Sequence, residues 1–159
     1  MKAEMPQVKK ENLITFVREM ARVNLLLKAF MRQKFKEHNI DLTSEMMQVM
    51  MTLWRKDGIN QQEIANITVK DKASLTYLID NLARRELVQR TEDENDRRNK
   101  LITLTAKGWE LKEMAAPWID EMFELVGKDI ASEIVTKGIT LLETMATNLE
   151  NQHANLAED

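Results

Sequence analysis

The residues able to do chemistry concentrate between Asn60 and Thr105. Lys72, Ala73, Thr76, Tyr77 and Asn81 recur at the steps of one helix face. They are short or polar side chains plus one aromatic, a set that suits major-groove base edges and thymine methyls. A solvated amphipathic face gives the same pattern. Further along, Arg97 and Arg98 follow Asp96 in a polar stretch. Two arginines on a turn reach a minor groove or a phosphate, and Asp96 is placed to brace one guanidinium by a bidentate pair. Taken alone, such a turn is more often a solvated one.

Rival chemistries lack their residues. His38 and His153 are far apart and have no ligand spacing. Gly58, Gly108, Gly127 and Gly138 are isolated, so no phosphate-cradling loop is formed. Glu92, Asp93, Glu94 and Asp96 lack the glycine and spacing of a calcium loop. The chain has no cysteine, which removes disulfides and thiolate metal sites and fits a reducing compartment. No catalytic residue, metal or cofactor is expected, and the chain does not read as an enzyme.

The positioning elements follow from periodicity. A long helix is predicted from Asn12 to His38-Asn39, with an apolar stripe at Leu13, Phe16, Val17, Met20, Leu27, Met31 and Phe35. Thr43 caps the next helix, Leu42 and Met47 have hydrophobic-staple spacing, and Asp57-Gly58 ends it. Asn60-Gln61-Gln62-Glu63 reads as a capping box before a short helix. After a turn at Thr68-Val69-Lys70, Asp71 caps a helix with Leu75, Leu78, Ile79 and Leu82 on its buried side. Small Ala65 lets these two short helices approach, as in a helix-turn-helix; Val69 stands where that turn often has glycine. Residues 87–91 and 100–105 favour strand and make one hairpin. Thr105 caps a further long helix, in which Pro117 predicts a kink but no end. After a break at Gly127-Lys128-Asp129, a last helix carries Ile134, Leu141, Leu142, Met145 and Leu149.

Leu42-Thr43, residues 60–65, residues 74–82 and, most specifically, residues 96–108 resemble a MarR-family transcriptional regulator. The order and spacing match from Asn12 to Leu149. The resemblance implies a mainly α fold with one β-hairpin wing. It implies a MarR-type domain over 12–149, holding a winged helix-turn-helix lobe at 42–105 (helix-turn-helix 60–85, wing 87–105). Helices at 12–38 and 106–152 would serve dimerisation. By position, Asn60, Gln61 and Gln62 would start the helix that touches the DNA backbone. Lys72, Ser74, Thr76 and Tyr77 would lie on the recognition helix, and Arg98 would be the wing arginine paired with Asp96. Glu86 stands where the family commonly has glycine.

Charge and length agree with that expectation. Residues 1–67 carry +3, residues 68–100 carry +1, and residues 101–159 carry −7 of the net −3. A pI of 5.6 excludes coating of nucleic acid by bulk charge but not a local basic surface. No stretch approaches ~18 apolar residues, so no membrane partner is expected, and residues 1–11 lack the apolar core of a secretion signal. The expected place is cytoplasmic. The stripes on the first and last helices exceed what one lobe can bury, which predicts an obligate homodimer. Its partner would be double-stranded DNA, at a palindromic operator that it represses. A small apolar or aromatic effector, typical of the resembled family, would meet the soft cluster Met46, Met47, Met50 and Trp54; a methionine-rich core is the alternative. A winged-helix protein-interaction module is the other reading of the whole chain.

Overall fold

Helix α1 spans Gln7–Glu37, directly after Pro6. It starts five residues before the expected Asn12, because nothing between Pro6 and Asn12 breaks a helix. The computed structural model describes residues 6–93 and 100–157. Asn39 ends α1 in the left-handed region (φ 55°), and the Ile40 amide donates to the Phe35 carbonyl at 2.8 Å.

Helix α2 spans Ser44–Arg55, and the Met46 amide donates to Thr43 Oγ1 at 3.2 Å. A short β1, Ile59–Asn60, leads into α3, Gln61–Thr68, and α4, Lys72–Arg84. Strands β2, Val88–Glu92, and β3, Lys100–Leu104, pair antiparallel from Val88 opposite Leu104 to Glu92 opposite Lys100. The expected single hairpin is therefore a three-stranded sheet of order β1-β3-β2, with Ile59 opposite Ile102. Two residues are too few to show a strand's alternation, which is why β1 is invisible in the sequence.

Helix α5 spans Ala106–Gly127 with Pro117 inside it, and α6 spans Ser132–Ala157. The Gly108 amide donates to Thr105 Oγ1 at 3.1 Å, so Thr105 is the expected cap of α5. At Gly108 an added Cβ would lie 2.2 Å from the Leu87 carbonyl oxygen, so the start of α5 lies directly on the chain entering β2.

The chain divides into two compact units, Met1–Met122 and Phe123–Asp159. The first holds the core: Phe35 of α1, Val49, Met50 and Leu53 of α2, Ile64 of α3, Leu75, Ile79 and Leu82 of α4, Ile102 of β3 and Ala115 of α5 are at most 2% exposed. Burial on α1 is confined to Met31 and Phe35, while Phe16, Val17, Met20 and Val23 are exposed. In the second unit no described residue of α6 is buried, and Ile134, Leu141, Leu142 and Leu149 are exposed.

Candidate nucleic-acid interface

The surface is built on two capped helices. The Glu63 amide donates to Asn60 Oδ1 at 2.8 Å, so Asn60 is the N-cap of α3. The reciprocal half of the capping box is not made: the Glu63 carboxylate instead accepts from Lys56 Nζ at 2.6 Å. Gln62 Nε2 donates along α3 to Asn66 Oδ1 at 3.0 Å. Gln61 Nε2 reaches across the motif and donates to Thr76 Oγ1 on α4.

Val69 closes α3 in the left-handed region (φ 51°, ψ 49°), while Lys70 N donates to the Ala65 carbonyl at 3.1 Å. A β-branched residue is strained there, and Val69 is 91% exposed, so no packing compensates. The chain then enters α4 through Asp71. Its Oδ1 accepts from the Ser74 amide at 2.8 Å and its Oδ2 from Ser74 Oγ at 2.6 Å. The hydrogen bond from the Ser74 hydroxyl, then that from its amide, holds the Asp71 carboxyl below its ordinary pKa.

On α4, Lys72, Ala73, Ser74 and Tyr77 are exposed and Thr76 is half-buried. Thr76 Oγ1 donates to the Lys72 carbonyl at 2.8 Å. Asn81 is corrected. It was expected on the open face, but it is buried, with Nδ2 donating to the Tyr77 carbonyl at 2.8 Å and Oδ1 accepting from Arg84 Nη2 at 2.8 Å. It lies next to Leu78 at the edge of the buried side of α4, where it satisfies backbone and holds arginines. Arg85 Nη1 donates to the Asn81 carbonyl at 3.2 Å, and the same guanidinium pairs with Asp41.

Beside this face lies an open groove of about 610 Å³, lined by Tyr77, Asp80, Ala83, Arg84 and Arg90. Arg90 Nη2 of β2 pairs with Asp80 Oδ1 of α4 at 2.6 Å, tying the hairpin to the helix. Sequence reasoning missed Asp80, Arg84 and Arg90; the signal was there, since Tyr77, Asp80 and Arg84 share one side of a helix. At the outer rung, Lys100 Nζ donates to Glu92 Oε1 at 2.7 Å and lowers the Glu92 pKa by that hydrogen bond and by its charge. Asp96, Arg97 and Arg98 lie outside the described residues.

The cluster expected either to meet an effector or to form a methionine-rich core lies in the core. Met46, Met47, Met50 and Trp54 are buried members of the hydrophobic core, and Trp54 Nε1 donates to the Gly108 carbonyl at 3.1 Å. Their softness serves packing between helices. His38 packs on Trp118 with ring centroids 4.3 Å apart, and its Nδ1 lies 2.8 Å from the Lys34 carbonyl oxygen.

A three-stranded sheet beside a helix-turn-helix with an outward α4 defines a winged-helix protein, and known sequences narrow the class. The MarR family model matches residues 42–100. The transcriptional regulator HosA of Escherichia coli O157:H7 is 33% identical over 106 residues, covering 61% of this chain and 78% of that protein. The HTH-type transcriptional repressor NicR of Pseudomonas putida is 32% identical over 133 residues, 80% of this chain and 84% of NicR. Among solved structures, a putative MarR-family regulator from Listeria monocytogenes, complexed with a 26mer DNA, superposes with a TM-score of 0.75 at 20% identity. That likeness spans 86% of this chain and 89% of the Listeria one and shows the fold. The chain belongs to the MarR family of transcriptional regulators.

Proposed function

We propose that the chain is a homodimeric repressor that reads a palindromic DNA operator with α4 in the major groove. The observation that carries this reading is the outward face of α4, where Lys72, Ala73 and Tyr77 are exposed while Leu75, Leu78, Ile79 and Leu82 are buried beneath. Lobe 42–105 does the reading. Asn60, Gln61 and Gln62 meet the backbone at the start of α3, and Lys72, Ser74, Thr76 and Tyr77 face the groove. Arg97 and Arg98, with Asp96 as brace, serve the wing. Repression follows the named role of NicR, and DNA as partner agrees with the DNA-complexed Listeria neighbour. Helices 12–38 and 106–152 serve dimerisation, supported by the open apolar stripes of α1 and α6. Among the described residues no helix is long and apolar enough to cross a membrane. No effector site is assigned to the buried Met46, Met47, Met50 and Trp54.

A two-fold dimer places its recognition helices about 34 Å apart, so the half-site centres should lie about one helical turn apart. Selection from a random duplex pool should return a near-palindrome with that spacing. Salt titrations on the selected duplex should show Lys72→Ala and Arg98→Ala each making the slope of log K against log salt shallower by about one unit per subunit. Folded variants that keep the wild-type slope would remove residues 60–105 from the DNA surface and favour a protein partner.

A further inference from the structure

We infer that α4 reads thymine through its 5-methyl group, with Thr76 as the specificity-determining side chain, an inference that rests on α4 being the major-groove helix. The short polar side chains of this face are already employed inside the protein. A threonine hydroxyl has one hydrogen to give. That of Thr76 goes to the Lys72 carbonyl at 2.8 Å, and the oxygen also accepts from Gln61 Nε2. The Ser74 hydroxyl gives its hydrogen to Asp71 at 2.6 Å, and the Asn81 amide is buried beneath. Neither of these two hydroxyl hydrogens is free to meet guanine O6, the purine N7 atoms or thymine O4, which leaves those edges to the exposed Lys72 ammonium and Tyr77 hydroxyl.

What Thr76 has left to offer is its γ-methyl, since its oxygen is turned to the helix backbone and to α3. Ala73, one turn earlier, exposes only a methyl, and Tyr77 beside it is 65% exposed. The methyls of Thr76 and Ala73 are suited to the one apolar group in the major groove, the thymine methyl. Gln61 is then a positioning residue. By holding Thr76 Oγ1 from the facing helix it fixes the rotamer that turns the methyl away from the backbone.

Deoxyuridine tests this directly, because it differs from thymidine by that methyl alone and keeps every hydrogen-bonding edge. The probe is the fluorescein-labelled duplex selected from a random pool, with each thymine replaced by deoxyuridine one symmetric pair at a time. One pair should weaken binding about fourfold per half-site, the worth of one buried methyl. Thr76→Ser, which keeps the hydroxyl and loses the methyl, should bind the thymine and uracil duplexes alike. Thr76→Val, which keeps a methyl and loses the hydroxyl, should retain the fourfold preference. A flat scan in the wild-type protein, still discriminating its operator from a scrambled duplex, overturns the inference and leaves the DNA reading standing. A uracil penalty undiminished in Thr76→Ser, or Val weakened while Ser binds as wild type, overturns the role of Thr76. Equal binding of operator and scrambled duplex overturns the DNA reading itself, and the inference with it.

Discussion

The same sequence signal ends in opposite places in two regions of this molecule. In α2 and α4, apolar residues at three- and four-residue steps close on each other; Leu53, Leu75, Ile79 and Leu82 are fully buried. In the first five turns of α1 and in α6, equally regular stripes stay open to water, as at Phe16, Val17, Leu141 and Leu142. An apolar stripe states that a face is to be covered; it does not say by which chain. The lobe covers its own stripes with its own helices and sheet, whereas the stripes of the first half of α1 and of α6 stay exposed. Exposed apolar area of this extent is the mark of an association surface.

The strongest way to break the comparison is a charge on the open stripe. Leu142→Glu should abolish the dimer, so that light scattering gives 18.5 kDa, one chain, where the wild type gives twice that at micromolar concentration. The near-ultraviolet signal of Trp54, buried in the lobe, should survive. A wild-type protein that scatters as one chain would show that the open stripes need no partner.

A smaller effect is expected inside the lobe, and its sign is the informative part. Helix propensity alone favours alanine over glycine by about 1 kcal/mol. Gly108→Ala should nevertheless destabilise by about 1–3 kcal/mol in urea titration, because the new Cβ meets the Leu87 carbonyl at 2.2 Å. A gain in stability would mean that the start of α5 is as free as the open helices.

The smallest change sharpens the comparison by improving the lobe. Val69 (φ 51°) and Glu86 (φ 61°) are both held in the left-handed region. Val69→Gly and Glu86→Gly should each gain about 0.5–1 kcal/mol, the relief of strain exceeding the added entropy of the unfolded chain. Glu86 gives up only an exposed contact with Lys107 at 3.7 Å. Thermal melting checks both, and a loss of stability in either would show that its turn is packed more tightly than its exposure implies.

Local rules carried far here. Thr43, Asn60, Asp71 and Thr105 are legible as caps because a cap is decided within four residues, and each accepts the amide three positions on. Pro117 lies within a continuous α5 because the apolar pattern resumes beyond it. The substitution of Val69 and Glu86 for expected glycines was readable; that both keep the glycine-like backbone was not, since sterics alone argue against it. Whatever depends on partners distant in sequence stayed hidden. Strand β1 exists only through β3, and Glu63 turns from Asn60 to Lys56. The roles of Thr76 and Asn81 hang on side-chain torsions, which spacing does not encode. Residue type marked the outward face of α4, but not which of its polar groups were already taken.

The join between hairpin and α5 has a mechanical meaning. The Thr105 amide donates to the Leu87 carbonyl at 3.1 Å, its hydroxyl donates to the Glu86 carbonyl, and Trp54 of α2 clasps the Gly108 carbonyl at 3.1 Å. Two bonds from Thr105 to the Glu86–Leu87 turn and one from α2 hold this junction. α5 is therefore a lever welded to the root of the wing. A displacement of its first turn would be passed to the root of β2 through those bonds.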